Sequence, residues 1–437
     1  MKELSKTITF FIIAILSCAL AYILAPQEKK DDADQLGQEF FVDFQNPLNA
    51  KSLEVFTFNE NTGGSEAFKV EFVDGRWIIP SHENYPADAK EKMEVLANAF
   101  IGLKREEIRS ESAADQASMS LIDPTDQTVG SITGRGSKVI IKGEDGQLLC
   151  QYIVGKKVPR KQGYRYLRLP GQAQSYVVSL DTELSTEFRD WVNPAIWTFS
   201  DRAIDSIVVK DYSVTEGKIK NKETFSLRQN TQGQWTCKET KKSLKHQDVQ
   251  KLAKIISQLS FRAITQKPAG VVESLLDKKA IKQDQKTLEA LAGKGFYLLP
   301  TGLVSDEGEI IISKKNGVVY GIRFGGYDGN ITVKDKGDKK GNRYCFITAG
   351  YDPKISVEPK MPKTPEKPHH FSSKEMVADY KKKLKALEPQ MKYIKFWQEK
   401  KDKALAEVEQ ANRRFASWFY VIDQYQEIRK PLKDLTQ

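Results

Sequence analysis

Two periodicities take turns along this chain. Over Phe68-Lys69-Val70-Glu71-Phe72 apolar and polar residues alternate, which predicts a strand with one buried face running on into Gly75-Arg76-Trp77. Residues 53–58 read as the strand before it. The spacing then changes. Met93, Leu96, Phe100 and Leu103 step by three, four and three, one buried stripe on an amphipathic helix whose start is marked by Pro86 and Asp88. Val139-Ile140-Ile141 next lead to Asp145-Gly146, and residues 148–154 return to Gly155. Asp-Gly between apolar strands predicts a type I′ hairpin, because both turn residues need positive φ. A further strand opens at Gly163-Tyr164-Arg165-Tyr166.

The whole succession then comes round again. Ile207-Val208-Val209 is followed by Phe225-Ser226-Leu227-Arg228 and by Gly233-Gln234-Trp235. Val249, Leu252, Ile256 and Leu259 repeat the three-four-three step. Ile310-Ile311-Ile312 lead to Asn316-Gly317, residues 318–324 return to Gly325, and Gly341-Asn342-Arg343-Tyr344 opens the last strand. Landmarks in the same order predict a duplicated module, with Trp77 and Trp235 in equivalent places and Arg165 matched to Arg343.

Between the copies, residues 188–201 carry Trp191, Trp197 and Phe199, an aromatic connector expected to pack. After the second copy, Pro359, Pro362, Pro365 and Pro368 predict an extended spacer. The remainder reads as a helical tail, with Pro389 expected to interrupt its first part. A three-four seam follows through Ile394, Trp397, Lys401, Ala404, Val408, Ala411, Phe415, Trp418, Ile422 and Tyr425. Such a seam suits another helix, in a coiled coil or in self-association, although it could equally fold back on the modules.

At the other end, residues 7–25 form an uncharged, almost wholly apolar run. Nineteen helical residues would span about 28 Å, close to the hydrocarbon thickness of a bilayer. A retained, single-pass signal anchor is expected, with the N-terminus in the cytoplasm and the main body outside. The predicted architecture is α+β: an N-terminal transmembrane helix, two repeated modules of antiparallel β hairpins with one amphipathic helix each, and a C-terminal helical tail. In numbers, residues 1–26 are the anchor, 27–50 a tether, 51–190 the first module and 191–358 the second with its connector. Residues 359–371 are the spacer and 372–437 the tail.

Composition changes this picture little. With 437 residues, 40% hydrophobic and 29% charged, the chain is an ordinary folded protein of more than one domain. Its net charge of +10 would suit nucleic acid, but the densest basic runs, at 334–340 and 381–385, have no nucleic-acid-binding signature beside them. A membrane-anchored body beside anionic lipid or envelope polymer accounts for the same charge. Cys18 falls in the apolar run, and Cys150, Cys237 and Cys345 are isolated in strand-like stretches, where buried small side chains are expected.

No catalytic constellation, cofactor fingerprint or metal-ligand spacing is legible. Gly134-Arg135-Gly136 lacks the third glycine of a dinucleotide loop, and no phosphate loop or nucleophile elbow occurs. Of the histidines, His369 and His370 sit in the spacer, while His82 and His246 fall between tryptophan and helix in each copy. The expectation is a non-enzyme. Its candidate partner-binding residues are Ile394, Trp397, Val408, Phe415, Trp418 and Ile422, and its candidate ligand contacts are Arg165 and Arg343.

The layout resembles a bacterial family known only as a domain of unknown function, number 4340 in its series. The resemblance rests on the anchor, the Gly-x-Trp strand before an amphipathic helix, Asp123-Pro124 leading into the hairpin, and Phe188-Arg189-Asp190 before Phe199 and Ile207. The closing Arg414-Phe415-Ala416-Ser417-Trp418-Phe419-Tyr420-Val421-Ile422 resembles the end of a longer subgroup. It implies no known enzyme activity. It implies genes set beside ABC-type transporter permeases and a gliding-motility-like auxiliary subunit, hence an extracytoplasmic accessory or scaffold of a transporter complex. The alternative is an envelope binding module for a polymer or anionic ligand.

Overall fold

The computed structural model describes residues 36–215, 217–230, 232–327, 341–369 and 373–437, which fall into two compact units divided between Val192 and Asn193. The expected anchor at 1–26 lies outside the described residues, as do Cys18, His370 and the basic run at 334–340. Among the described residues no helix is long and apolar enough to cross a membrane.

The first unit is built on strands β1 (Ser52–Asn59), β2 (Gly64–Val73), β3 (Arg76–Ile79) and β4 (Tyr85–Pro86), helix α1 (Lys90–Phe100), and β5 (Glu107–Ser110). There follow β6 (Ser137–Lys142), β7 (Leu148–Lys157), β8 (Tyr164–Arg168) and β9 (Ser175–Ser179). Among the described residues they make one antiparallel sheet in the order β4-β3-β2-β1-β6-β7-β8-β9-β5. Alternation sets the buried face: Leu53 and Val55 of β1 lie between Val70 and Phe68 of β2 and Ile141 and Val139 of β6, and all six are buried. The α1 stripe of Met93, Leu96 and Phe100 is buried as its spacing requires, and Phe100 stacks on Tyr152 of β7 at 5.3 Å. At the β6–β7 turn Asp145 and Gly146 have φ of 56° and 78°, so both predicted left-handed residues are present.

The second unit contains β10 (Ile204–Thr215), β11 (Lys218–Gln229), β12 (Trp235–Cys237), α2 (His246–Ser257) and β13 (Ala263–Gln266). Two helices, α3 (Ala269–Leu276) and α4 (Gln285–Ala292), and a small hairpin, β14 (Phe296–Leu299) and β15 (Gly302–Ser305), come next. The chain continues through β16 (Glu309–Lys314), β17 (Val318–Tyr327), β18 (Arg343–Tyr351), the long helix α5 (Lys374–Ala416) and β19 (Trp418–Ile422). Short helices α6 (Tyr425–Ile428) and α7 (Leu432–Leu435) close it. The main sheet runs β12-β11-β10-β16-β17-β18-β19-β13.

Strand for strand this is the order of the first sheet without its outermost β4, and the registers agree. Phe72 pairs with Trp77 where Gln229 pairs with Trp235. Arg165 faces Lys157 across a bulge in β7, and Arg343 faces Tyr327 across a bulge in β17. Even the approach to the first strand repeats: isolated bridges join Glu39 to Lys104 and Ala195 to Ser260.

Several expectations need correcting. Residues 27–50 are not wholly a tether, since Phe40, Phe44 and Ala50 are buried and the Phe40 amide donates to the Leu103 carbonyl at 3.0 Å. In the connector, which was expected to go with the second module, the Ile196 amide donates to the Leu259 carbonyl at 2.9 Å. The second module has α3 and α4 besides its one expected amphipathic helix. At Asn316-Gly317 only the glycine is left-handed, with φ of 91°, so this turn is not type I′. Helix α5 passes through Pro389 unbroken; that residue is exposed, where water can satisfy the carbonyl that its missing N–H leaves free.

The largest correction concerns the tail. It is not helical through to Tyr425: α5 ends at Ala416, and Trp418–Ile422 is a strand between β18 and β13, buried along its whole length. Aromatic and β-branched residues without alternation are what a strand covered on both faces requires. Residues 352–417 are therefore an excursion between adjacent strands of one sheet, where the first module has only the short turn after β8.

Candidate functional site: a rooted helical arm

The excursion makes an arm. Its helix has 43 residues and a length of about 65 Å at 1.5 Å per residue. The C-terminal part is fastened to the second unit from several sides. Glu407 accepts from Lys314 of β16, from the Tyr320 hydroxyl at 2.7 Å and from the Asn316 amide at 3.3 Å. Asn412 places its side-chain amide against the backbone of Ala349, accepting at 2.9 Å and donating at 2.8 Å as a neighbouring strand would. Arg414 donates to the carbonyls of Ala195 at 2.6 Å and Ile196 at 3.0 Å.

The electrostatics of this root follow from burial and partners. Burial alone would raise the Glu407 carboxyl, but hydrogen bonds from Lys314 and Tyr320, with the Lys314 charge, hold it below the ordinary glutamate range. Tyr320 is pushed well up, first by burial and then by its bond to the Glu407 carboxylate. A cavity of about 290 Å³ opens here between Trp197, Phe199, Tyr320, Glu407 and Arg414. Lys267 lies deeper. Its ammonium donates to the Phe415 carbonyl at 2.6 Å, at the negative end of α5, and sits 3.8 Å from the Phe346 ring centre. Burial drives its pKa well below that of a free lysine.

Of the residues expected to bind a partner, Phe415, Trp418 and Ile422 are buried inside the second unit and unavailable to another chain. Trp397 is buried too, while Ile394 and Val408 are half-buried. What the outer part of α5 leaves open is different: Met376, Leu384, Met391, Tyr393 and Phe396, with Phe396 under the Lys400 ammonium at 4.4 Å. Lysines dominate this outer stretch. Tyr393 and Phe396 were missed because they stand off the three-four seam; their signal was aromatic residues interleaved with lysine.

Arg165 and Arg343 do hold equivalent positions, and each already has a carboxylate beside it. Arg165 reaches Glu183 at 3.4 Å. Arg343 stacks over Tyr425 at 4.9 Å, with Glu307 at 3.9 Å, and Glu307 also accepts from Arg429 at 2.7 Å and Tyr425 at 2.9 Å. This network pins α6 to the sheet beside a cavity of about 210 Å³.

The two histidines differ. His82 stacks on Phe188 at 4.2 Å and its pKa is lowered by burial, whereas His246 is exposed at the start of α2. Cys150 and Cys345 are buried free thiols, Cys150 raised by burial to about 12, and Cys237 is half-buried and free. Among the described residues no group of three or more His, Cys, Asp or Glu is placed to hold a metal.

Fold and site together define a protein of two like α+β units, the second carrying an inserted helical arm. Residues 77–289 match the family described as a domain of unknown function (DUF4340). The match runs from β3 of the first unit into α4 of the second. No curated protein and no solved structure matches the chain.

Proposed function

We propose that this protein is a non-enzymatic, membrane-anchored accessory or scaffold subunit, its body outside the bacterial inner membrane, that serves an ABC-type transporter complex. The observation that carries the reading is the arm. A helix of about 65 Å, rooted at one end by Glu407, Asn412 and Arg414, offers a partner a long lever whose outer part is lysine-rich and exposes Tyr393 and Phe396. The family match supports the setting, and the apolar run at 7–25 supports the anchor.

The test is a photo-crosslinking residue at Tyr393 in the full-length chain, activated in native membranes and followed by purification in mild detergent. The expected product joins the protein to a transporter permease or its auxiliary subunit. Crosslinks to envelope polymer would favour the alternative, a module for an anionic polymer. Crosslinks only between copies of the chain would replace both with self-association.

A further inference from the structure

The outer half of α5 extends beyond its root, and a lone helix there would carry its apolar stripe bare. Its exposure pattern is not that of a lone helix. Between Lys381 and Phe396 every residue is exposed except Leu387 and Ile394. Tyr380 before them and Lys401 after extend this spacing of seven, and half-buried Val377 and buried Trp397 lie three residues from Tyr380 and Ile394 on the same side of the helix. A second periodicity occurs just upstream. From Pro359 to His369 the half-buried residues are Pro359, Pro362, Pro365 and Pro368, and every residue between them is exposed. Three residues make one turn of a polyproline II helix, so these prolines form a single face.

The two periods fit each other. Three residues of polyproline II advance about 9.3 Å, and seven residues of α-helix about 10.5 Å. Four prolines and four helical positions thus keep step over some three repeats. A salt bridge sets the register: Glu358, at the head of the proline segment, pairs with Lys401 at 3.6 Å. From there the segment to His369 covers about 34 Å, and the helix from Lys401 back to Lys374 about 40 Å. Since residue 374 follows 369 so closely, the segment can only run antiparallel along the helix.

We infer that the outer seam of α5 is a binding site for a polyproline II segment with proline at every third position, and that residues 359–368 of the same chain are its resident ligand. The prolines fall on Lys401, Ile394, Leu387 and Tyr380 in turn. Proline suits this task because its fixed φ leaves little backbone entropy to lose when it is laid down. The strap stiffens the arm, and a partner helix can use this seam only by displacing it. The inference stands apart from the transporter reading, since it concerns contacts within one chain.

Engineered cysteine pairs in the full-length protein test it directly. Pro365→Cys with Leu387→Cys lies in register, whereas Pro365→Cys with Val377→Cys is ten residues, about 15 Å, out of it. Under mild oxidation the first pair should close at least tenfold faster, within one chain. Equal rates, or no closure of either, would overturn the inference, and a crosslink between chains would assign the seam to a second copy. As an independent measurement, Pro362→Gly with Pro365→Gly should speed amide exchange across residues 380–396 at least tenfold and leave β17 to β19 unchanged. Unchanged exchange in the arm would also overturn it.

Discussion

Tyr420 occupies in the second sheet the place that Tyr176 occupies in the first. Tyr176 pairs with Ile108 on one side and Leu167 on the other, and Tyr420 with Ile264 and Cys345. Both tyrosines are fully buried. The strand that fills this slot arrives soon after β8 in the first unit, but in the second only after the strap and the arm. Closing the second sheet therefore fixes both ends of the excursion, and the arm is built into its framework.

It follows that β19 is structural. Phe419 is buried, stacked on Phe296 at 5.3 Å and packed with Val271, Phe346 and Val421. Phe419→Ala should cost the second unit about 3–5 kcal/mol in chemical denaturation. Tyr393→Ala, on the exposed arm, should change stability by less than about 0.5 kcal/mol. Comparable effects from the two would mean that β19 does not close the sheet.

The bulges of β7 and β17 depend on glycine. A Cβ on Gly155 would lie 2.4 Å from the Met119 carbonyl, and one on Gly325 2.1 Å from the Lys294 carbonyl. Both contacts are with backbone, which cannot step aside cheaply. Gly155→Ala and Gly325→Ala should each destabilise by about 1–3 kcal/mol. A neutral result at either position in a denaturation curve would show that the local backbone is looser than this packing requires.

Lys267 makes stability depend on pH in the alkaline range. Its pKa is depressed in the folded chain, so between that value and the unfolded value of about 10.4 the unfolded state binds more protons. Stability contributed by this group should therefore rise with pH across the window. Lys267→Met, which keeps the length and removes the charge, should flatten that rise in urea titrations repeated at successive pH values. An identical slope in the variant would place the dependence elsewhere.

Glu407 acts in the opposite range. Its folded pKa lies below the unfolded value, so its contribution is present above the unfolded pKa and is lost as pH falls through the folded one. Glu407→Gln should be less stable than the parent at neutral pH, and the gap should narrow below about pH 4, near the pKa of a free glutamate side chain. Hydrogen exchange at residues 404–416 reports the same event locally. A gap that is constant with pH would show that the carboxylate charge does not hold the root.

Short-range pattern revealed much of the framework. Met93, Leu96 and Phe100, like Val249, Leu252 and Ile256, declare a helix because apolar spacing at 3.6 residues suits no other element, and all are buried. Phe68 and Val70 declare a strand through alternation, and Asp145-Gly146 declares its turn through the backbone angles that only such residues reach readily. Repetition of these local signals was enough to pair Trp77 with Trp235 and Arg165 with Arg343.

Residues 418–422 show where that reading stops. A short run that is apolar throughout has no period, and in isolation it extends a helical seam as readily as it forms a buried strand. One clue was present: Tyr420-Val421-Ile422 echoes Tyr176-Val177-Val178. What decided the matter was a vacancy between β18 and β13, whose backbone N–H and C=O groups needed a partner in that register. The same holds for Arg343, legible as a repeated arginine, whose surroundings of Glu307, Tyr425 and Arg429 exist only once α6 is laid against the sheet. By itself the sequence determined which segments are helices, strands and turns wherever the period is strong, because those preferences are satisfied within a few residues. Tertiary structure alone decided which strand completes the second sheet, and so where the arm is rooted, because that choice satisfies hydrogen bonds and buries side chains supplied by segments more than 70 residues apart.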